Sequence, residues 1–497
     1  MMSLSELVEL FCDKNPGSQG PPLALVGYDV DRIHEYVFAT SKPMEIAGAS
    51  LIVAGLDSLV NEITTDEGLE PEAICFATGG TGLMLAPQTR AQALCDSIEN
   101  RFREVSVSGS CTAAMVPVDR PAPDDSGWFS AAFTRLSAAL RRRKDERATN
   151  MAGWQAIPGY LLRCQSCGRF PATREDGRYE GDEKHVCPSC LAKREACRSN
   201  SRTSDLEQAR DLTDLVRRKD GTEDALAVIY CDARDMGSRL EKSDWAKAQE
   251  VSNAIRDTLL TCLAKAQENA GKGHYLDLLA GGDDLLIVVP APRALAALRA
   301  MRDEFHAGLD DRLSPCPRLD IGLLVADCHL PAKYLFEYAR RLMRSAKSHG
   351  YELADALDIQ DDAIDWMVIK GGSPLNQDIG VLRQEHLSLK IDGGRSYRLT
   401  RKPYCWEDFD RLLKHKAVFS DLPGSQRKTL ASYLLEHPEV ARLNIAYQAA
   451  RNRDVAGALE NCGVKKSEAW SDHFVHESNG DYDTGYFDLL ELLELEG

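Results

Sequence analysis

An α+β fold with two ferredoxin-like palms, an intervening zinc module and a helical C-terminal domain is predicted by three observations. A Gly-Gly-Asp-Asp corner at 281–284 lies between runs rich in Leu, Ile and Val. The elements around it follow the order βαββαβ, and a second copy of that order lies upstream. In such a unit the end of the first strand lies beside the central hairpin.

In the downstream copy, the strand running from Ala225 carries Asp232, Arg234 and Asp235 near its end, and a helical stretch near 242–268 follows. The hairpin spans Leu278–Pro290. After it come a helix near 292–309, a strand at Arg318–Ala326, a helix at 331–349 and a strand at Ile364–Ile369. The two glycines, Gly281 and Gly282, let the chain reverse tightly and let a triphosphate approach the backbone. Asp283 and Asp284 are held at the tip, and the topology brings Asp232 beside them. Paired carboxylates on a rigid turn suit Mg²⁺, or Mn²⁺, and phosphoryl transfer. The plainer reading is a hairpin turn with solvated acids.

The upstream copy begins with the strand Leu23–Asp29 and continues through a helix to the hairpin Ala73–Ala86. Its turn, Gly79-Gly80-Thr81-Gly82, keeps the glycines and loses the acids, with Thr81 and Gly82 read in the places of Asp283 and Asp284. A helix near 88–104, a strand near 109–117 and a long helix at 127–149 complete it. This copy is expected to admit a nucleotide without holding catalytic metal.

Between the copies, Cys164-Gln-Ser-Cys167 and Cys187-Pro-Ser-Cys190 form two Cys-x-x-Cys knuckles nineteen residues apart, a spacing that fits a tetrahedral structural Zn²⁺. The loop between them is polar, so ligation would substitute for a core. His185 is the nearest competing ligand. The other cysteines, among them Cys12, Cys197 and Cys462, read as core or surface residues, because fifteen scattered cysteines make no disulfide framework.

A chain of 497 residues divides here into an extension at 1–22, a first palm at 23–150, a zinc module at 151–205, a second palm at 206–372 and a C-terminal domain at 373–497. The net charge of −17 argues against a protein that grips nucleic acid by itself. The dense basic run Arg141-Arg142-Arg143-Lys144 with Arg147 reads as a solvated helix face, with RNA or nucleotide contact as the alternative. No apolar run reaches about 18 residues, so no membrane span is expected. The first twenty residues lack the basic start and apolar core of a signal peptide, and a cytoplasmic location is expected. From Trp406 the pattern is helical, and the acidic, amphipathic tail from Tyr486 is expected to close that bundle.

Taken in order along the chain, these features resemble one family, the large polymerase-like subunit of type III CRISPR effector complexes. The resemblance rests on Gly27-Tyr-Asp-Val-Asp-Arg-Ile-His-Glu-Tyr-Val-Phe38, Glu45-Ile-Ala-Gly-Ala-Ser50, the Gly79-Gly80 hairpin and the double Cys-x-x-Cys. It also rests on Tyr230-Cys-Asp-Ala-Arg-Asp-Met-Gly237, Gly281 to Asp284, Ala363-Ile-Asp-Trp-Met-Val368 and Leu399-Thr-Arg-Lys-Pro-Tyr404. It implies a synthase that joins ATP into cyclic oligoadenylates when a guide-loaded complex captures foreign RNA. By that resemblance Asp232, Asp283 and Asp284 hold two Mg²⁺, Gly281 and Gly282 meet phosphate or ribose, and Gly79, Gly80 and Ser50 line an acceptor-side pocket. Lys347, in Ala346-Lys-Ser-His-Gly350, resembles the Ala-Lys-x-x-Gly ending of GGDEF-type cyclases and is assigned to phosphate. The implied partners are other protein subunits with guide and target RNA.

Two departures from the family pattern stand out. Many members begin with an HD nuclease domain. Only about twenty residues precede the first palm here and none is His, so no DNA cleavage is expected. The family spaces its first-strand acids Asp-x-Asp, whereas Arg234 takes the second place and Asp235, on the opposite strand face, points away from Asp232. A stand-alone cyclic dinucleotide synthase and a non-catalytic scaffold or nucleotide sensor are the alternative functions.

Overall fold

The computed structural model describes residues 22–118, 127–150, 159–178, 184–199, 212–217, 225–271, 275–369, 377–391, 394–461, 475–478 and 481–496. The N-terminal extension up to residue 21, Cys12 and Cys462 lie outside the described residues.

The first palm comprises β1 (Leu23–Asp31), α1 (Ile33–Val37), α2 (Pro43–Asp66), β2 (Ile74–Thr78), β3 (Thr81–Pro87), α3 (Gln88–Ser106), β4 (Ser110–Val118) and α4 (Gly127–Asn150). Its four strands lie in the order β2-β3-β1-β4. β1 is apolar on both faces because both are covered: Val26 and Tyr28 face the junction between the palms, while Leu23 and Leu25 pack with Phe129 and Leu136 of α4. α2 is long and apolar enough to cross a membrane by length and composition, contrary to the expectation that no such run exists. Its apolar surface is wide because it packs on several partners at once, among them the zinc-module helix, the helix Gln88–Ser106 and a strand of the second palm.

The zinc module consists of the short pair β5 (Arg174–Glu175) and β6 (His185–Val186) followed by α5 (Pro188–Ser199). A buried ionic cluster fixes α5 to α2. Arg194 donates to Glu45 at 2.8 Å and to Asp176 at 3.2 Å, and Arg198 reaches Asp176 at 2.7 Å. Lys193 donates to the Tyr36 carbonyl at 2.6 Å. Gly48 permits the close approach, since a Cβ there would lie 1.8 Å from the Lys193 carbonyl oxygen.

The second palm follows as β7 (Leu226–Ala233), α6 (Met236–Glu241), α7 (Trp245–Ala270), β8 (Leu276–Gly281), β9 (Asp284–Pro290), α8 (Ala294–Leu309), β10 (Leu319–Ala326), α9 (Ala332–Leu357) and β11 (Ala363–Val368). The strands lie in the order β11-β10-β7-β9-β8, and Tyr404–Cys405 adds a short edge strand beside β11. The helices and strands expected from periodicity are all present. α7 starts where the Asp244 side chain caps the Lys247 amide.

The two palms pack reciprocally. α2 of the first lies on β8 of the second, and α7 of the second lies on β2 of the first. Gln249 on α7 donates to the Ile74 carbonyl at 3.1 Å. One apolar core spans the junction, joining Val26, Tyr28 and Ile52 to Tyr230, Leu286 and Leu324.

The C-terminal part contains α10 (Ile379–His386), β12 (Ser388–Lys390), β13 (Ser396–Arg398), α11 (Trp406–Ser420), α12 (Gly424–Leu434), α13 (Pro438–Arg451), α14 (Arg453–Asn461), β14 (His476–Ser478), β15 (Asp481–Asp483) and α15 (Tyr486–Leu493). Its four short strands form a sheet in the order β12-β13-β15-β14, an addition to the helical bundle expected. Strands of three residues are too short to carry a readable alternation. The tail helix α15 closes the bundle, with Tyr486, Leu489 and Leu492 buried. Asp488 on it accepts hydrogen bonds from Thr400 at 2.6 Å and Tyr404 at 2.9 Å.

The basic run on α4 is not simply a solvated face. Arg143 pairs with Glu99 at 3.2 Å, Arg147 also bonds Glu99, and Lys144 meets Asp29 at 2.6 Å. Three of the five cations face α3 and β1 because α4 covers that side of the sheet.

Candidate active site at the palm junction

β7 ends in Asp232, and strand pairing sets what lies beside it. Asp232 stands opposite Asp284 on β9 and opposite Asp320 on β10, so three carboxylates cross three adjacent strands on one face. Asp283 sits at the hairpin tip and its carbonyl accepts from the Ala233 amide at 3.0 Å. Gly282 takes a φ of 69°, the left-handed conformation a two-residue turn requires at its first position.

α9 covers this face. Gly322 on β10 allows the approach, since a Cβ there would stand 2.3 Å from the Ala339 carbonyl oxygen and 2.4 Å from the Met343 amide. Lys347 on α9 thereby reaches Asp232, Nζ to Oδ2 at 2.5 Å. The lysine assigned to phosphate therefore balances one of the acids. Burial lowers the pKa of the Lys347 ammonium, but the Asp232 charge outweighs it and the net shift is upward.

Asp283 and Asp284 both sit above the usual carboxylate range. Burial is the largest cause for each. The Asp232 charge adds to it at Asp283, and the Asp283 and Asp232 charges add to it at Asp284. Three crowded carboxylates facing one ammonium leave the site short of positive charge, and oxygen donors of this kind fit Mg²⁺ or Mn²⁺.

Arg234, in the second position of the acid pair, does not join this cluster as a free cation. It donates from Nε to Asp320 Oδ2 at 3.0 Å and from Nη2 to the same carboxylate. Asp320 is held at a pKa of about 6, pushed up by burial against the pull of Arg234. Asp235 is exposed, lies beyond the end of β7 in a left-handed turn with a φ of 67°, and accepts from the Tyr351 hydroxyl of α9 at 2.8 Å, so the strand alternation expected to turn it away from Asp232 does not apply to it.

Tyr230, two residues before Asp232, lies beside Asp284, and its hydroxyl lies 3.4 Å from Nε2 of His34 on α1 of the first palm. Burial, with the nearby Arg340, lowers the His34 pKa to about 4. Arg340 and Arg344 of α9 both act on His34, so positive charge borders the junction.

The first palm repeats this arrangement in part. Lys144 meets Asp29 at 2.6 Å, and Asp31 accepts from Ser110 and Thr112, each at 2.9 Å. The hairpin register corrects the sequence alignment by one residue. Asp29 pairs with Thr81 as Asp232 pairs with Asp284, so Thr81 takes the place of Asp284 and Gly80 that of Asp283. Gly79 and Gly80 have φ values of 63° and 85°, whereas only the first residue of the second turn is left-handed. A Cβ on Gly80 would meet Val53 at 3.0 Å and Val30 at 3.1 Å, so the position is packed from both sides. Ser50 is half-buried on α2.

In the zinc module the sulfurs of Cys164, Cys167, Cys187 and Cys190 lie within 4.8 Å of one another, a donor set that fits Zn²⁺. His185 is not among them and faces Glu175 at 3.5 Å.

Sequence reasoning missed Asp320, His34 and the role of Tyr230, all of which depend on register or on contact between palms. One signal was available. Lys144 follows Asp29, and Lys347 follows Asp232, by the same 115 residues.

Residues 225–354 match the family model described as Cas10/Cmr2, second palm domain. Among solved structures, a chain of the Csm1–Csm4 cassette in complex with cA3 is 14% identical with a TM-score of 0.57, covering 99% of this chain and 72% of its own. A chain of the cassette in complex with one ATP is 14% identical with a TM-score of 0.57, covering 98% and 72%. A chain of the Csm1–Csm4 subcomplex in the type III-A CRISPR-Csm interference complex is 14% identical with a TM-score of 0.56, again covering 98% and 72%. At this identity the likeness is one of fold. No curated protein matches the sequence.

Proposed function

We propose that this chain, Cas10-like in its second palm and in its overall fold, is a nucleotidyltransferase that joins ATP into cyclic oligoadenylates. The observation that carries the reading is the convergence of Asp232, Asp283 and Asp284 within the segment that matches the Cas10/Cmr2 second palm. Solved chains of the same fold were captured with ATP and with cA3, which supports adenine nucleotides as substrate and product.

In the reaction, the 3′-oxygen of one ATP forms a bond to the α-phosphorus of another while the bond to the β-phosphate oxygen breaks and pyrophosphate leaves. Asp232, Asp283 and Asp284 would hold the Mg²⁺ or Mn²⁺, which when bound supplies charge stabilisation for the attacking and leaving oxygens. Gly281 and Gly282 leave the backbone free of side chains where phosphate or ribose approaches. Lys347 holds Asp232 in place. Gly79, Gly80 and Ser50 are assigned to the wall of the acceptor-side pocket. The Cys164, Cys167, Cys187 and Cys190 cluster is assigned to structural Zn²⁺. Other protein subunits of an RNA-guided complex, with guide and target RNA, are the assigned partners, in line with relatives solved beside Csm4.

The test is to incubate the purified chain with ATP, GTP and Mg²⁺, with and without the proteins encoded beside it, and to identify products by mass. Cyclic oligoadenylates from ATP support the reading. Unchanged ATP under every condition contradicts it.

A further inference from the structure

We propose that Asp57 and Thr78 of the first palm are positioning residues for the catalytic turn of the second. Asp57 locks the Gly79-Gly80 turn, and Thr78 carries that geometry to Gly282 and so to Asp283. The proposal deepens the reading above and rests on it for its link to catalysis.

Asp57 lies on α2, the helix that also packs on β8 of the second palm. Its carboxylate lies beside the backbone N–H groups of Gly79 and Gly80, whose partial positive charge opposes the upward push of burial on its pKa. Its Oδ1 is buried without a hydrogen-bond partner. Both glycines are left-handed, a strained choice for any other residue, and Gly80 is wedged between Val53 of the same helix and Val30 of β1. α2 thus borders the turn with one carboxylate and one apolar contact.

Thr78, the last residue of β2, carries the connection onward. Its carbonyl accepts from the Thr81 hydroxyl at 3.1 Å, closing the turn. Its own hydroxyl, on a residue 7% exposed, accepts from the Gly282 amide at 3.3 Å. On the far side the same catalytic turn is held by the bond from the Ala233 amide to the Asp283 carbonyl. One side of the turn is therefore fixed by its own palm and the other by Thr78. The acid-less palm, on this account, serves the reaction by setting where Asp283 stands.

The experiment compares Asp57→Ala, Asp57→Asn, Thr78→Val and Thr78→Ser in the full-length chain, assembled with its partners for the kinetic arm. It reads two quantities: deuterium uptake at the Gly282 amide, and kcat and KM for ATP joining. Asp57→Ala and Thr78→Val are expected to speed exchange at Gly282 by about tenfold or more. They should lower kcat by roughly ten- to a hundredfold with KM little changed, since misplacement of about 1 Å can cost on the order of a hundredfold. Asp57→Asn and Thr78→Ser, which keep an acceptor oxygen, should restore both, and Asp57→Ala with Thr78→Val should be no worse than either alone. Parental exchange and parental kcat in both disruptive variants would overturn the proposal. Should Asp57→Ala fail to fold, Thr78→Val decides, and parental exchange at Gly282 in that variant sinks the coupling. A parental chain that joins no ATP contradicts the proposed function, while the exchange arm still decides whether the two turns are coupled.

Discussion

Arg234 forks onto Asp320 beneath Gly350, Nε to Oδ2 at 3.0 Å, with the two residues 3% and 0% exposed. The pair lies beside Asp232 in the sheet, with Asp320 directly opposite it. Removing one partner leaves a buried charge uncompensated, so Arg234→Ala is expected to cost about 3–5 kcal/mol. Arg234→Met combined with Asp320→Leu should recover most of that. Urea unfolding of the three proteins checks it, and a loss below about 0.5 kcal/mol in Arg234→Ala contradicts the buried pair.

Lys347 balances Asp232 next to two further acids, whereas Lys144 balances Asp29 beside a turn with none. Lys347→Met should therefore lower stability without divalent cations by about 1–2 kcal/mol, a figure discounted because the lysine is part-exposed. Added Mg²⁺ should recover more stability in Lys347→Met than in the parent. Lys144→Met should show no such recovery. Thermal unfolding in EDTA and in Mg²⁺ measures both, and equal Mg²⁺ responses in the two variants count against a cation site at Asp232.

Asp57 gives a pH signature. Burial pushes its carboxyl up to about 7, against an ordinary value near 4. A raised folded-state pKa means a stabilising contribution present below about pH 4 and lost as pH rises through about 7. Asp57→Asn removes that loss, so its stability relative to the parent should climb between pH 4 and 7 by on the order of 1–3 kcal/mol. His34, lowered to about 4, acts in the opposite sense, adding stability above about pH 6.5 that fades as pH falls through 4. It is common to both proteins and cancels in the difference. A pH-independent difference between variant and parent excludes a buried, titrating Asp57.

The four-cysteine cluster should carry about one Zn²⁺ per chain, and Cys187→Ser should lose it, because three ligands leave an open position. Since α5 is fixed to α2 through Arg194 and Glu45, loss of zinc should also raise hydrogen exchange in 188–199. Metal analysis showing no zinc in untreated protein, or full zinc in Cys187→Ser, contradicts the assignment.

Much of the architecture was legible because its signals are local. The Gly-Gly-Asp-Asp turn, the acid-ended strand before it and the two cysteine knuckles each lie within a few residues, and βαββαβ order then brings Asp232 to the hairpin. The alignment of the two turns failed by one residue because glycines were matched by letter, whereas hydrogen-bond register equates Gly80 with Asp283. Asp320 was hidden because its position opposite Asp232 depends on cross-strand pairing. His34 was hidden because it meets Tyr230 only when two separate palms pack. The inward pairing of Arg143 and Arg147 with Glu99 depends on which way α4 faces, which a run of basic residues does not state.

The central claim, that the second palm joins ATP at Asp283 and Asp284, is tested most directly by mass analysis of products from the parent and from Asp283→Asn with Asp284→Asn. The change keeps side-chain volume and relieves a crowded acid cluster, so the variant should fold at least as well as the parent without metal. The account predicts cyclic oligoadenylates from the parent in its assembled state and a loss of product by at least about a thousandfold in the folded variant, the scale of removing major transition-state charge stabilisation. Product at the parental level from the folded double variant would contradict it.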